Sequence, residues 1–406
     1  MVGRAAPALS GWLGLPFSTW LVVLAYFTLT LGVALSIPFP SQIDELPHLS
    51  VIRSQFEHFQ LFPEWSSYRQ LEVDDLTRWS ANPNYINHPS LYYALLAPLM
   101  AITASPLPFR IVNVLLSTGA LTLIVLSVRR HFVEQAVPIT PFAIITACFP
   151  KAALVGGMVN NDNLSALAGA LLLAGMVGLP GAGWWIMAAL AIAGWTKLTA
   201  FIALGAVAGT WLGLGWLRGD RRLTDRMILL AAFGILIGLL PYVVTWLRTG
   251  HLIWVNADIW RVPLDRRAHY DLAGFAGFFL RALVLKWPAA EGIYPFPLAL
   301  LTLCLPLVLA AIGLRRPALR SIGLAYAVGL ALLFGAHFLF GWRSFQALGD
   351  LTIMQVRYYN VLWPGIALAA SAALAPLWTR QRWTAWVVLA VGLLPTMLGG
   401  MVIAAI

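Results

Sequence analysis

Ser41-Gln-Ile-Asp44-Glu45-Leu-Pro-His48 places two adjacent carboxylates and an imidazole within about one helical turn. Residues three and four apart share a helix face, so Asp44 and Glu45 both neighbour His48. Two chemistries suit this set. A carboxylate can take the proton of a hydroxyl as general base. Alternatively, Glu45 and His48 can hold a divalent cation such as Mg, Mn or Ca. A purely structural role fits as well. Ser41, with Asp44 three residues on, resembles a helix-capping box with Asp in the Glu/Gln slot. The roles are compatible, since a capped helix start also positions the acids. Leu49, Ile52, Phe56 and Phe59 then recur at helical spacing, a pattern suited to a helix on the membrane surface.

Further polar residues are scattered along the chain. Asn82-Pro-Asn-Tyr-Ile-Asn87-His88-Pro89-Ser-Leu-Tyr92-Tyr93 reads as a turn-rich loop entering a helix at Pro89. His88 there suits a phosphate, a sugar or a metal, or is simply an exposed loop histidine. Asn160-Asn161-Asp162-Asn163 is a polar knot that a tight turn with an Asn/Asp cap also explains. Lys197 interrupts an apolar run, and an intramembrane cation is costly and usually functional. At a hairpin turn it would instead lie at the surface. Gln355-Val-Arg357-Tyr358 offers a guanidinium for paired hydrogen bonds to a phosphate, or an interfacial Arg-Tyr anchor. No Gly-rich phosphate loop, Gly-x-Ser-x-Gly elbow or His-Glu-x-x-His motif is present.

The elements that must position these residues are membrane helices. Of 406 residues, 60% are hydrophobic and 10% charged, with mean hydropathy +0.81. Soluble domains carry about 25% charged residues. A membrane-crossing helix needs about 20 mostly apolar residues. Such runs fall at about 17–37, 109–128, 139–157, 163–179, 184–198, 200–217, 227–247, 294–313, 321–340, 358–378 and 383–404. The expectation is an all-α integral membrane protein of about eleven spans, one polytopic domain over residues 1–406. The spacing of these runs does not suit a barrel, whose strands alternate over about ten residues. Ser90–Ala104 is apolar but short, and reads as interfacial. The first run is long enough to remain as an uncleaved anchor. Cys148 and Cys304 lie in apolar runs and suggest neither disulfides nor zinc.

Basic short loops set the orientation. Arg4, Arg129–Arg130, Arg218–Arg226, Arg315–Arg320 and Arg380–Arg382 share one side, which places the N-terminus in the cytoplasm. Segments 38–108, 248–293 and 341–357 then face outward and hold nearly all the polar candidates. The second of these carries Arg261, Arg266, Arg267, Arg281 and Lys286 against Asp258, Asp265 and Asp271. The formal charge of +10 does not indicate nucleic acid, because the arginines are dispersed in loops and only Lys151, Lys197 and Lys286 are lysines.

Asp44-Glu45-x-x-His48, Asn161-Asp162-Asn163, His88-Pro-Ser-Leu-Tyr-Tyr and Gln355-x-Arg357-Tyr358, in this order and on one side, resemble the GT-C superfamily of membrane glycosyltransferases. The nearest branch contains the bacterial relatives of protein O-mannosyltransferases and of the lipid A aminoarabinose transferase. That branch often has a double proline where this chain has His88-Pro89-Ser90. The resemblance implies a polyprenyl-phosphate sugar donor and a glycan, lipid or protein acceptor. It also implies inverting transfer at the outer face of a bacterial inner membrane. Asp44 would be the base, with Glu45 beside it. His88, Tyr92, Asp162, Lys197, Arg357 and Tyr358 would bind substrate, and Glu45 and His48 would hold any divalent cation. A flippase for lipid-linked saccharides, a polymerase or ligase, and a non-catalytic envelope scaffold are the competing readings. A flippase should show repeats and a midplane site, and neither is evident.

Overall fold

The computed structural model describes residues 14–41, 44–132, 136–149, 151–220, 224–253, 259, 261–285, 296–351 and 354–390. Helix α1 spans Phe17–Ser36 and α2 spans Glu45–Glu57. Strands β1 (Arg69–Leu71) and β2 (Trp79–Pro83) form an antiparallel hairpin, pairing Arg69 with Pro83 and Leu71 with Trp79. Then come α3 (Leu91–Leu96), α4 (Pro106–His131), α5 (Ile139–Ala147), α6 (Ala152–Gly156), α7 (Asp162–Met176) and α8 (Ala182–Gly194). The bundle continues with α9 (Leu198–Leu217), α10 (Asp225–Thr249), α11 (Leu272–Leu285), α12 (Phe296–Gly313), α13 (Arg320–Leu348) and α14 (Trp363–Arg380).

Among the described residues, six helical stretches are long and apolar enough to cross a membrane: α1, α4, α9, α10, Pro317–Leu348 and Val356–Arg380. The chain is thus a helical membrane protein, and segment 38–108, read as a loop with amphipathic helices, adds one small hairpin to α2 and α3. The long helices do not by themselves confirm a count of eleven, and there is a physical reason. Helix α7 is apolar because nearly every residue in it is buried against other helices. A helix that is hydrophobic all round packs inside, whether or not lipid touches it. The run 139–157 breaks into the short helices α5 and α6, with Lys151 at φ 67° between them. Segment 248–293, read as a loop, contains the apolar helix α11. Residues 294–295, 391–404, Lys286 and Asp258 lie outside the described residues. Ser90–Ala104 forms only α3 and a 3-10 turn at Ala97–Ala101, matching its reading as a non-spanning segment.

Helix α2 departs from a surface helix on one side. Leu49 and Ile52 are fully buried in a cluster with Trp65, Tyr68, Leu71 and Tyr93, while Phe56 and Phe59 stay exposed. Segment 44–101 therefore builds its own small core against the ends of α4 and α7, whose Phe109, Val159 and Leu164 join it. Helices α8 and α10 approach through glycine. A Cβ on Gly194 would lie 2.3 Å from Gly238 Cα. Small residues permit such close helix contact where no hydrophobic force drives association.

One buried ion pair ties these parts together. Arg110, near the start of α4, donates from Nε and Nη2 to both Glu45 carboxylate oxygens at 2.7 Å. Its Nη1 donates to the carbonyls of Ala34 and Ile37, at 2.9 and 2.7 Å, at the end of α1. Glu45 also accepts from the backbone N–H of Ser41 at 3.0 Å and of Val159 at 3.2 Å. The pair therefore clamps α1, α2, α4 and the entry to α7.

Removing one member of a buried pair costs about 3–5 kcal/mol, whereas replacing both by apolar residues is often neutral. Arg110→Ala should therefore lower the melting temperature of the purified protein more than Glu45→Leu/Arg110→Leu does. Lysine at 110 should rescue only weakly, because it lacks the planar fork. Equal melting of wild type and Arg110→Ala would contradict the clamp.

Candidate active site

The clamp fixes the residue beside Glu45. Asp44 caps α2 with φ 63° and ψ 22°, the left-handed region that Asp tolerates better than most side chains. This turn sends adjacent carboxylates different ways. Glu45 goes inward to Arg110. Asp44 accepts from the Tyr85 hydroxyl at 2.6 Å and from Arg357 Nη2. Arg357 Nε lies 3.4 Å from Asp162 Oδ2, and Lys197 Nζ donates to Asp162 Oδ1 at 2.5 Å.

Asp44, Arg357, Asp162 and Lys197 thus form one chain of alternating charge. Asp44 is its open end, with a side chain 28% exposed against 6% or less for the others. Tyr358 lines the same chain. Lys197 Nζ stands 4.3 Å from its ring centre, and His337 packs on it at 5.2 Å.

Separate elements bring these groups together. Asp162 opens α7, where a helix N-terminus favours negative charge. Lys197 sits in the turn between α8 and α9. That turn is pinned by Trp195 Nε1 on the Ile237 carbonyl (2.8 Å), Asn161 Nδ2 on the Thr196 carbonyl (3.1 Å) and the Leu91 N–H on the Trp195 carbonyl (3.2 Å). Arg357 lies in the 3-10 turn Val356–Leu362 ahead of α14. All of them converge at the end of the bundle where α1 finishes and α4 begins.

No protein-family model and no curated protein matches this sequence significantly. Solved structures do match. The crystal structure of ArnT from Cupriavidus metallidurans bound to undecaprenyl phosphate aligns with a TM-score of 0.52 at 17% identity, covering 95% of this chain and 63% of that one. The apo structure of the same protein aligns at 0.50, with the same identity and coverage. The chain has the GT-C fold. It spans less than two thirds of the length of those GT-C structures.

Within this GT-C fold, not every residue singled out in the sequence reaches the charge chain. Glu45 does not: both its oxygens are committed to Arg110 and to backbone N–H groups. It is a buried counter-ion where the sequence suggested a second catalytic carboxylate. The same commitment argues against a divalent cation on Glu45 and His48. Both Glu45 oxygens already accept hydrogen bonds, so Glu45 offers no free carboxylate to a metal, and among the described residues no group of three or more His, Cys, Asp and Glu is placed to hold one. Tyr92 is also withdrawn, fully buried and donating to Asn113 Oδ1 at 3.0 Å. His48 and His88 stack with ring centres 6.1 Å apart, beside the charge chain.

Tyr85, Arg110 and Asn113 are not among the residues singled out in the sequence. Only Arg110 left a signal, a cation just inside an apolar run. The Ser41 capping box does not form either. Helix α2 starts one residue after Asp44, and Glu45, not Asp44, takes the Ser41 N–H.

Burial opposes ionisation of Asp44, but Arg357 and the Tyr85 hydroxyl outweigh it and hold the carboxyl well below the usual range. Burial pushes the His48 imidazole down to about 3 against the pull of Asp44. His88 is likewise lowered, by burial and then by Lys197. Both rings are therefore neutral near pH 7.

Between pH 6.5 and about 3 the unfolded chain binds more protons at His48 than the folded one. Folded stability is then present above 6.5 and is lost as pH falls through this window, with a slope of at most about 1.4 kcal/mol per pH unit per histidine. His48→Gln should partly flatten the fall of melting temperature between pH 6.5 and 4. An unchanged slope would show that this imidazole is not held neutral.

Proposed function

We propose that the protein is a GT-C glycosyltransferase that moves a sugar from a polyprenyl-phosphate donor to a glycan, lipid or protein hydroxyl, with inversion. The site would lie at the outer, periplasmic or extracellular face of a bacterial inner membrane, with the N-terminus in the cytoplasm. The observation that carries this reading is the partly open Asp44 joined to a buried guanidinium that a phosphate can compete for. The ArnT structure with undecaprenyl phosphate supports it through the shared fold.

In this reading the acceptor O–H attacks the anomeric carbon, and Asp44 takes its proton. The bond from the anomeric carbon to the phosphate oxygen breaks, and polyprenyl phosphate leaves. Its developing charge falls between Arg357 and Lys197, cations held in place before reaction. The transition state is oxocarbenium-like. Competition then links binding to base strength. A donor phosphate that draws Arg357 away removes the strongest partner of the Asp44 carboxylate. The Asp44 pKa rises toward its ordinary value, and the carboxylate becomes a better base as substrate arrives. His88 and Tyr358 flank the same end and suit contacts to the sugar. Charge compensation is assigned to Arg357 and Lys197.

The decisive comparison is mass spectrometry of envelope glycans and polyprenyl-phosphate sugars in a deletion strain carrying wild type or Asp44→Asn. The variant should match the deletion while still binding undecaprenyl phosphate. Full complementation by Asp44→Asn would remove the base assignment. A flippase would instead move lipid-linked saccharide across proteoliposomes without forming a new glycosidic bond.

Arg357→Gln should weaken undecaprenyl phosphate binding about tenfold or more, since a hydrogen bond to a charged group is worth about 1.5–3 kcal/mol. Unchanged affinity in native mass spectrometry would leave Arg357 as an anchor only.

A further inference from the structure

A cavity of about 350 Å³ lies outside the charge chain. It sits between segment 62–66 and the last turns of α10. Phe62 and Trp65 give it aromatic walls, and Glu64, Ser66, Arg248 and Thr249 give it polar ones. The volume falls in the range of small-ligand sites, about 300–1,000 Å³.

Both ends of the wall connect through one further residue to the candidate active site. Trp65 Nε1 donates to the His88 carbonyl at 3.2 Å, and the His88 ring stacks on His48, next to Asp44. The Phe62 ring packs on Trp195 at 5.5 Å, two residues before Lys197.

The lining chemistry limits the occupant. Arg248 is partly spent, donating from Nη1 to the Phe62 carbonyl at 3.1 Å and lying 6.0 Å over the Phe62 ring, so Trp65 is the freer aromatic wall. Among the described residues the Glu64 carboxylate and the Ser66 hydroxyl accept no hydrogen bond. Glu64 offsets the charge of Arg248 and would repel a phosphate. An indole and a phenyl ring with a carboxylate, a guanidinium and hydroxyls suit a neutral polyhydroxyl ring. Such a ring stacks its C–H face on aromatics and shares its hydroxyls among the polar groups. On the same turn of α10, Trp246 and Leu247 are exposed, an apolar surface suited to lipid.

We infer that this cavity is a binding site for a neutral saccharide of the acceptor, outside the charge chain and formed by Phe62–Ser66 and the end of α10. The inference rests on the transferase reading above and names the acceptor side of that site.

The test uses the full chain in lipid nanodiscs free of maltoside detergent. Maltose, cellobiose and chitobiose are added singly, and saturation-transfer NMR reads binding. At least one disaccharide should bind saturably. Its affinity should fall at least about fivefold in Glu64→Gln/Arg248→Gln and in Thr249→Trp, which fills the cavity. The double variant replaces surface side chains, so it decides the matter if Thr249→Trp fails to fold. Binding that survives the double variant overturns the proposal. So does the absence of saturable binding by wild type, or a response to sn-glycerol 3-phosphate with none to the sugars. Asp44→Asn should keep the disaccharide signal, so failure of the base assignment and failure of the cavity assignment leave different signatures.

Discussion

The buried Glu45–Arg110 pair is the constraint on which the candidate site depends. Taking two charges out of water is expensive, and only good geometry with every remaining group bonded offsets it. Here the guanidinium spends its fork on Glu45 and a further N–H group on the exposed carbonyls at the end of α1. The carboxylate takes two backbone N–H groups besides. A pair satisfied on all sides tolerates little displacement. The turn at Asp44 is therefore held at one position relative to α1, α4 and α7.

The charge chain that starts at Asp44 obeys the same rule with a different outcome. Asp44, Arg357, Asp162 and Lys197 alternate in sign and sum to zero, so their burial is tolerable. Unlike the clamp, this chain is not saturated. Among the described residues Asp162 Oδ2 accepts no hydrogen bond and has only the 3.4 Å ion pair with Arg357 Nε, and Asp44 remains partly open. The two ionic systems thus divide the labour between neighbouring residues. Glu45 holds the scaffold, and Asp44 keeps a partly exposed side chain. The left-handed backbone at Asp44 lets adjacent side chains serve both.

Much of this was legible in the residues, and the misses share a cause. The Asp44, Asp162, Lys197 and Arg357 candidates do converge, although as many as 313 positions separate them in the chain. Each was visible because a charge next to apolar sequence must be satisfied by something. The roles of Glu45 and Tyr92 were misread because a helical spacing says which residues share a face but not what that face meets. Leu49 and Ile52 show the same limit. Their periodicity is real, but it points at the cluster around Trp65 and Tyr68 and not at lipid.

Hydropathy by itself determined the membrane setting, since no soluble fold could cover so much apolar surface and so few charges could solvate it. Local sequence also determined that the candidate polar residues lie near helix ends, where they avoid the hydrocarbon. Tertiary structure decided the rest. It chose which carboxylate faces Arg110 and which faces Arg357. It turned apolar runs such as α7 into core, and it recruited Tyr85, for which the sequence held no signal. The reason is that burial and pairing are properties of what stands opposite a residue. Arg110, 65 positions from Glu45 in the chain, becomes its partner only once α1, α2 and α4 are packed.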